Sequence, residues 1–160
     1  MERIEHKTFK DKRGSYTPVS TKTLDIDWTQ CSISVNKNKF TFRGLHYQTE
    51  PFQTKYIKVI QGSIVDFAVD LHTKEFESIV LSEDDAVFIP NTKAHGFLTL
   101  EPDTIVVYLS LGEYNPESEY SIPWWENQDV FLEVVRYSGD SPLTISEKDA
   151  HGVDRKIRPY

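Results

Sequence analysis

Short runs in which apolar and polar residues alternate, broken by turn residues roughly every 8–12 positions, argue that this chain folds as β-structure. The runs fall at Ser15–Val19, Gln30–Val35, Thr41–Gln48, Thr54–Gln61, Ser63–Asp70, Glu77–Leu81, Ala86–Ile89, Gly96–Leu100 and Thr104–Leu109. Turn signals stand between them at Asp11–Gly14, Asn36–Lys39, Gln61-Gly62, Pro90-Asn91 and Glu101–Asp103. Helical periodicity is poor. The best helical candidates are short: Ser20–Asp27 and the region after Pro116. From Trp124 onward the pattern is mixed, with an apolar run Val130–Val135 and a polar tail.

No repeat, low-complexity tract or Gly/Ser linker divides the 160 residues, so a single domain over 1–160 is expected, long enough to bury a core. Many short strands at even spacing fit an all-β double-sheet jelly roll, a cupin-like β-barrel with short helices. Long barrel strands with flat edges pair between subunits, which points to a homodimer. The 9 Phe, 8 Tyr and 3 Trp stiffen sheets and line pockets for planar ligands. A net charge of −7 argues against sequence-independent nucleic-acid binding, which needs a basic surface. One cysteine, Cys31, provides no internal disulfide framework and suits a reducing compartment. The start, Met1–His6, carries no apolar segment of the secretory kind, and no apolar run approaches the length of a membrane span. A soluble cytoplasmic protein is the expectation.

Chemistry concentrates in Arg43-Gly44-Leu45-His46-Tyr47-Gln48. On a strand, His46 and Gln48 share one face while Leu45 and Tyr47 share the other. An imidazole and an amide together, with an Arg close by, suit an anionic ligand that bears a carbonyl. Lys55 and Lys58 fall on opposite faces of the next strand, so at most one points inward; an inward ammonium needs a partner or a function. A Pro-led turn delivers His95 to the start of a strand. Tyr108 faces inward if Val106 does. Lys148-Asp149, taken alone, reads as a capping or turn segment. There is no Gly-rich phosphate loop, no Cys-x-x-Cys and no His-Glu-x-x-His, so the common zinc sites are absent.

These motifs resemble the dTDP-4-dehydrorhamnose 3,5-epimerase family, small jelly-roll enzymes of nucleotide-sugar biosynthesis. The likeness begins at Arg43–Gln48 and continues through Lys55–Gly62, Val65–Leu71, Pro90–Leu98, Tyr108 and Glu113–Glu119 to Ser146–Ala150. The blocks keep their order and span nearly the whole chain. The resemblance implies an isomerase that inverts C3, C5 or both of a nucleotide-linked 4-keto-6-deoxy sugar. It makes His46 the general base, Asp149 its partner, Lys55 the cation beside the reacting carbonyl and Tyr108 the acid. His95 matches a second active-site histidine. Arg43, Gln30, Glu119 and Lys148 match positions that bind the diphosphate or base, and Ser32, Gln48 and Tyr114 join the substrate-binding set. Arg13 resembles an N-terminal arginine that reaches the ligand, in some cases across a dimer. Two positions depart from the family pattern: Pro18 stands where an acidic residue is common and Ser32 where Asn is. Both bear on reading the base.

Such a reaction needs these residue types. The C–H bonds at C3 and C5 are acidic because both lie α to the C4 carbonyl. A neutral imidazole takes such a proton, and a carboxylate behind it stabilises the imidazolium. A Lys ammonium answers the charge that develops on the enolate oxygen. A phenol returns a proton from the opposite face. No metal or redox cofactor is called for. Two other readings are open to the sequence: a metal-dependent cupin using His46, Glu50 and His95, and a nucleotide-sugar binding protein without catalysis, suggested by Pro18 and Ser32.

Overall fold

The structure is a computed structural model and describes residues 1–12, 14–20 and 27–151. Among these residues the strands are β1 (Glu2–Ile4), β2 (Phe9–Asp11), β3 (Gly14–Tyr16), β4 (Gln30–Asn36), β5 (Phe42–Gln48), β6 (Thr54–Gln61), β7 (Ser63–Asp70), β8 (Phe76–Ser82), β9 (Ala86–Ile89), β10 (Lys93–Thr99), β11 (Thr104–Leu111) and β12 (Glu119–Ser121). Two helices follow, α1 (Gln128–Ser138) and α2 (Glu147–His151).

Two five-stranded antiparallel sheets face each other, with orders β1-β9-β6-β11-β4 and β12-β5-β10-β7-β8; β2 and β3 form a separate hairpin. The fold is the expected double-sheet jelly roll. Ile57, Val59, Ile64, Val87, Phe97 and Val106, drawn from both sheets, make the apolar part of the barrel interior. A second cluster lies on the other face of the β5-β10-β7 sheet, where Phe42, Leu45, Val65, Phe67, Val69 and Leu98 pack against Val130 and Val134 of α1. That sheet is therefore covered on both faces, and β7 is buried along nearly its whole length. A run such as Ile64-Val65-Asp66-Phe67-Ala68-Val69 is what a doubly covered strand requires.

β4 inverts the usual pattern. Its Ser32, Ser34 and Asn36 turn toward the interior, while Cys31, Ile33 and Val35 are exposed. A strand that points hydroxyls and amides inward lines a polar cavity rather than a core.

Several expectations are corrected. The strand expected at Ser15–Val19 is only β3, because Pro18 has no N–H to donate to a ladder. No helix begins directly after Pro116; a turn leads into β12 there. The helix lies later, over the segment read as mixed. Asn127 caps it by accepting from the N–H groups of Asp129 and Val130, and Gly139 at φ 56° ends it. Val130 and Val134, four apart, bury one stripe, each contributing about 1.5–3 kcal/mol. The helical candidate Ser20–Asp27 falls almost wholly outside the described residues. No helix among the described residues is long and apolar enough to cross a membrane.

Candidate active site

A cavity of about 250 Å³ opens between the two sheets. β5 supplies Arg43 and His46 to it, three residues apart. In regular alternation such a pair would face opposite ways. The β5–β10 register shows why they do not: His46 pairs with His95 and Arg43 with Phe97, so three steps on β5 oppose two on β10. This bulge resets the alternation at Gly44, whose φ is +127°. It also presses two glycines together. A Cβ on Gly44 would stand 2.5 Å from Gly96 Cα, and one on Gly96 would stand 2.6 Å from the Arg43 carbonyl oxygen.

His46 Nε2 lies 2.6 Å from Asp149 Oδ1. Asp149 comes from α2, whose start is tied by the Asp149 N–H donating to Ser146 Oγ at 3.1 Å. The second carboxylate oxygen accepts from the Gly44 N–H at 3.4 Å. Burial raises the Asp149 pKa, but the hydrogen bond and charge of His46, with the Gly44 and Ser146 contacts, outweigh it and hold the group below its ordinary value. An ionised carboxylate on Nε2 requires a proton on that nitrogen, which leaves the lone pair on Nδ1. Nδ1 faces Glu119 Oε1 at 4.0 Å. Glu119 is in turn ion-paired with Lys148 and accepts from the Tyr114 hydroxyl at 3.0 Å.

Beside His46, His95 Nε2 lies 2.8 Å from Asp66 Oδ2. Asp66 is fully buried, and its Oδ1 has no partner among the described residues. Burial pushes its pKa up, against the pull of His95 and Lys55. Lys55 lines the cavity from β6, and burial lowers its pKa while the charges of Glu119 and Asp66 oppose that. Tyr108 reaches in from β11, its ring 6.3 Å from Phe97. Burial pushes the phenol above its ordinary value. The cavity thus holds a histidine with an available lone pair, a cation and a phenol, the set needed to remove and return a proton beside a carbonyl.

The family profile of dTDP-4-dehydrorhamnose 3,5-epimerase matches residues 1–155. The chain belongs to this family. The dTDP-4-dehydrorhamnose 3,5-epimerase of Methanothermobacter thermautotrophicus is 34% identical over 159 residues, covering 91% of this chain and 84% of its own length. The dTDP-6-deoxy-D-glucose-3,5-epimerase of Legionella pneumophila, solved with dTDP-4-keto-L-rhamnose, superposes with a TM-score of 0.81 at 29% identity over 94% of this chain and 85% of that one. The Bacillus anthracis enzyme, solved with TDP and PPi, gives 0.76 at 32% identity over 92% of this chain and 90% of that one. Like its relatives, this protein is an epimerase, an enzyme of the isomerase class.

Of the residues read from the sequence, the epimerase fold brings His46, Asp149, Lys55, Tyr108, His95, Arg43, Gln30, Ser32, Tyr114 and Glu119 to the one cavity. Lys148 stands behind Glu119, bonded to it. Gln48 does not line the cavity. It lies at the end of β5, where its amide donates to the carbonyls of Pro51 (2.6 Å) and Glu113 (2.8 Å) and accepts from the Asn115 N–H. Arg13 lies outside the described residues. Lys58 turns away, as the alternation required, and donates to the Asp84 carbonyl at 2.8 Å. Among the described residues no three His, Cys, Asp or Glu side chains form a metal-binding group, so His46, Glu50 and His95 are not assembled as a ligand set.

Three residues escaped the sequence reading. Asp66 supports His95, and a charge within an apolar strand was its signal. Ser34 and Asn36 sit on the inward face of β4, where alternation alone assigns the core to Cys31, Ile33 and Val35.

Proposed function

We propose that this epimerase inverts C3, C5 or both of a nucleotide-linked 4-keto-6-deoxy sugar by removing and returning protons α to the C4 carbonyl. The observation that carries the reading is the His46–Asp149 pair sharing one cavity with Tyr108 and Lys55. Nδ1 of His46 takes the C–H proton, and the imidazolium is held against Asp149. Negative charge moves to the C4 oxygen, where the Lys55 ammonium answers it. Tyr108 returns a proton to the carbon from the other face, and the enolate collapses to the ketone with inverted configuration. His46 then sheds its proton to water, and water reprotonates Tyr108.

Arg43, at the exposed end of the cavity, suits the diphosphate, with Arg13 as its assigned companion. Gln30, Ser32 and Tyr114 lie together, Gln30 donating to Ser32 Oγ and accepting from the Tyr114 N–H; they are assigned to the base. The single domain is proposed to work as a homodimer. β4 is an edge strand with Ile33 and Val35 exposed on its outer face, and a second copy would cover them. A reducing cytoplasm suits the lone, exposed Cys31.

The test is incubation in D2O with dTDP- and GDP-linked 4-keto-6-deoxy sugars. Deuterium at C3, C5 or both is expected with at least one. A folded protein that exchanges neither position in any of them removes the proposal.

A further inference from the structure

Arg43, the cation assigned to the diphosphate, reaches from β5 to a residue of the facing sheet, Asn36 at the end of β4. Asn36 is 2% exposed, and the proposed chemistry gives its buried amide no part. Its Oδ1 accepts from Arg43 Nε at 2.8 Å and from the Ser34 hydroxyl at 3.2 Å. Its Nδ2 donates to the Thr104 carbonyl at 3.1 Å, where Asn36 and Thr104 pair across the β4–β11 ladder.

These partners fix which way the amide lies. A guanidinium N–H only donates, so the oxygen must face Arg43; a carbonyl only accepts, so the nitrogen must face Thr104. Flipped, the amide would set donor against donor at Arg43 and acceptor against acceptor at Thr104. The β11 backbone thus holds Asn36 in the one orientation that receives Arg43.

A guanidinium meets a phosphate either by its side, with Nε and one Nη, or by its end, with both Nη groups. Asn36 occupies Nε, and Nε carries the one Arg43 hydrogen bond found among the described residues. The end of the fork is left for a ligand. Oδ1 is also neutral. A carboxylate at this place would hold Arg43 as firmly, but its charge would offset the attraction of the guanidinium for an anionic ligand. An amide orients the cation and leaves its charge to the substrate.

We infer that Asn36 is a positioning residue for recognition of the diphosphate. It holds Arg43 by Nε so that both Nη groups face the phosphate oxygens, with the charge of the guanidinium uncompensated. The inference rests on the proposed assignment of Arg43 to the diphosphate.

The experiment compares wild type with Asn36→Ala, Asn36→Asp, Arg43→Ala and the double variant Asn36→Ala/Arg43→Ala. Each folded protein, checked by its thermal midpoint, is titrated calorimetrically with dTDP, or with GDP if the GDP-linked sugar is the one exchanged. KM and kcat for the 4-keto sugar are read separately. Arg43→Ala is expected to weaken nucleotide binding about ten- to a hundredfold, the worth of a hydrogen bond to a charged group. Asn36→Ala is expected to weaken it about three- to tenfold, the cost of ordering a long side chain on binding, with KM rising more than kcat falls. Asn36→Asp is expected to bind more weakly than Asn36→Ala, although it keeps an acceptor for Nε. The double variant is expected to bind no more weakly than Arg43→Ala alone. Wild-type nucleotide affinity in Asn36→Ala overturns the inference, as does a further loss in the double variant, or an Asn36→Asp that binds at least as tightly as Asn36→Ala. Should Asn36→Asp fail to fold, the cycle of Asn36→Ala with Arg43→Ala decides. If Arg43→Ala itself binds as wild type does, the assignment of Arg43 to the diphosphate falls. A weak Arg43→Ala with an unaffected Asn36→Ala overturns only the role of Asn36.

Discussion

Asp149 Oδ1 lies 2.6 Å from His46 Nε2 although 103 positions separate the two in the chain. The contact fixes which nitrogen carries the ring proton and so which one can act as a base. Replacing Asp149 with Asn keeps the shape but not the charge that stabilises the imidazolium. Asp149→Asn is expected to lower the epimerisation rate about 10²- to 10⁴-fold, with the fold retained, as measured by product formation and circular dichroism.

The same pair predicts a pH dependence of stability. Asp149 is held below the ordinary carboxylate value in the folded state. Its stabilisation is therefore fully present above the unfolded value of about 3.9 and is lost as pH falls through the folded value. The gap in Tm between wild type and Asp149→Asn is expected to narrow on acidification below about pH 5. A constant gap would show that the charge of Asp149 contributes nothing to folding.

Lys55 is the cation assigned to the developing enolate oxygen. Lys55→Met is expected to reduce the rate about 10²- to 10³-fold with little change in KM. Lys55→Arg is not expected to restore it, because a planar guanidinium replaces a compact ammonium. Steady-state kinetics on both variants checks this.

Gly96 faces Gly44 where the bulge turns Arg43 and His46 to one side. Gly96→Ala puts a methyl group 2.6 Å from the Arg43 carbonyl oxygen. A loss of about 1–3 kcal/mol is expected by chemical denaturation, together with a drop in activity, since the displaced strand carries His46, the proposed base.

The residues show why some of this was legible in the sequence and some was not. Period-two runs from Gln30 to Leu109 marked most strands, because a strand that buries one face must alternate. The motif around His46 and the distant Ser146–Asp149 segment could be joined only through family resemblance; spacing carries no information about a contact across the fold. The bulge at Gly44 was invisible, so Arg43 could be placed only near His46 and not on its face. Gln48 reads as a ligand group beside His46, whereas in the fold its amide is taken up by the loop carbonyls of Pro51 and Glu113. The β-branched composition of Val130–Val135 hid a helix that exists because Asn127 caps it and because Val130 and Val134 reach the outer core. Asn127→Ala is accordingly expected to cost about 1 kcal/mol, read from the denaturation midpoint.

The central claim is that His46 removes a proton α to the carbonyl of a nucleotide-linked 4-keto sugar. The most direct measurement is deuterium incorporation from D2O at C3 and C5, wild type against His46→Asn, under conditions where both proteins are folded. The wild-type enzyme is expected to incorporate deuterium at one or both carbons and His46→Asn at neither. Incorporation by His46→Asn at the wild-type rate would contradict the account and place the base elsewhere.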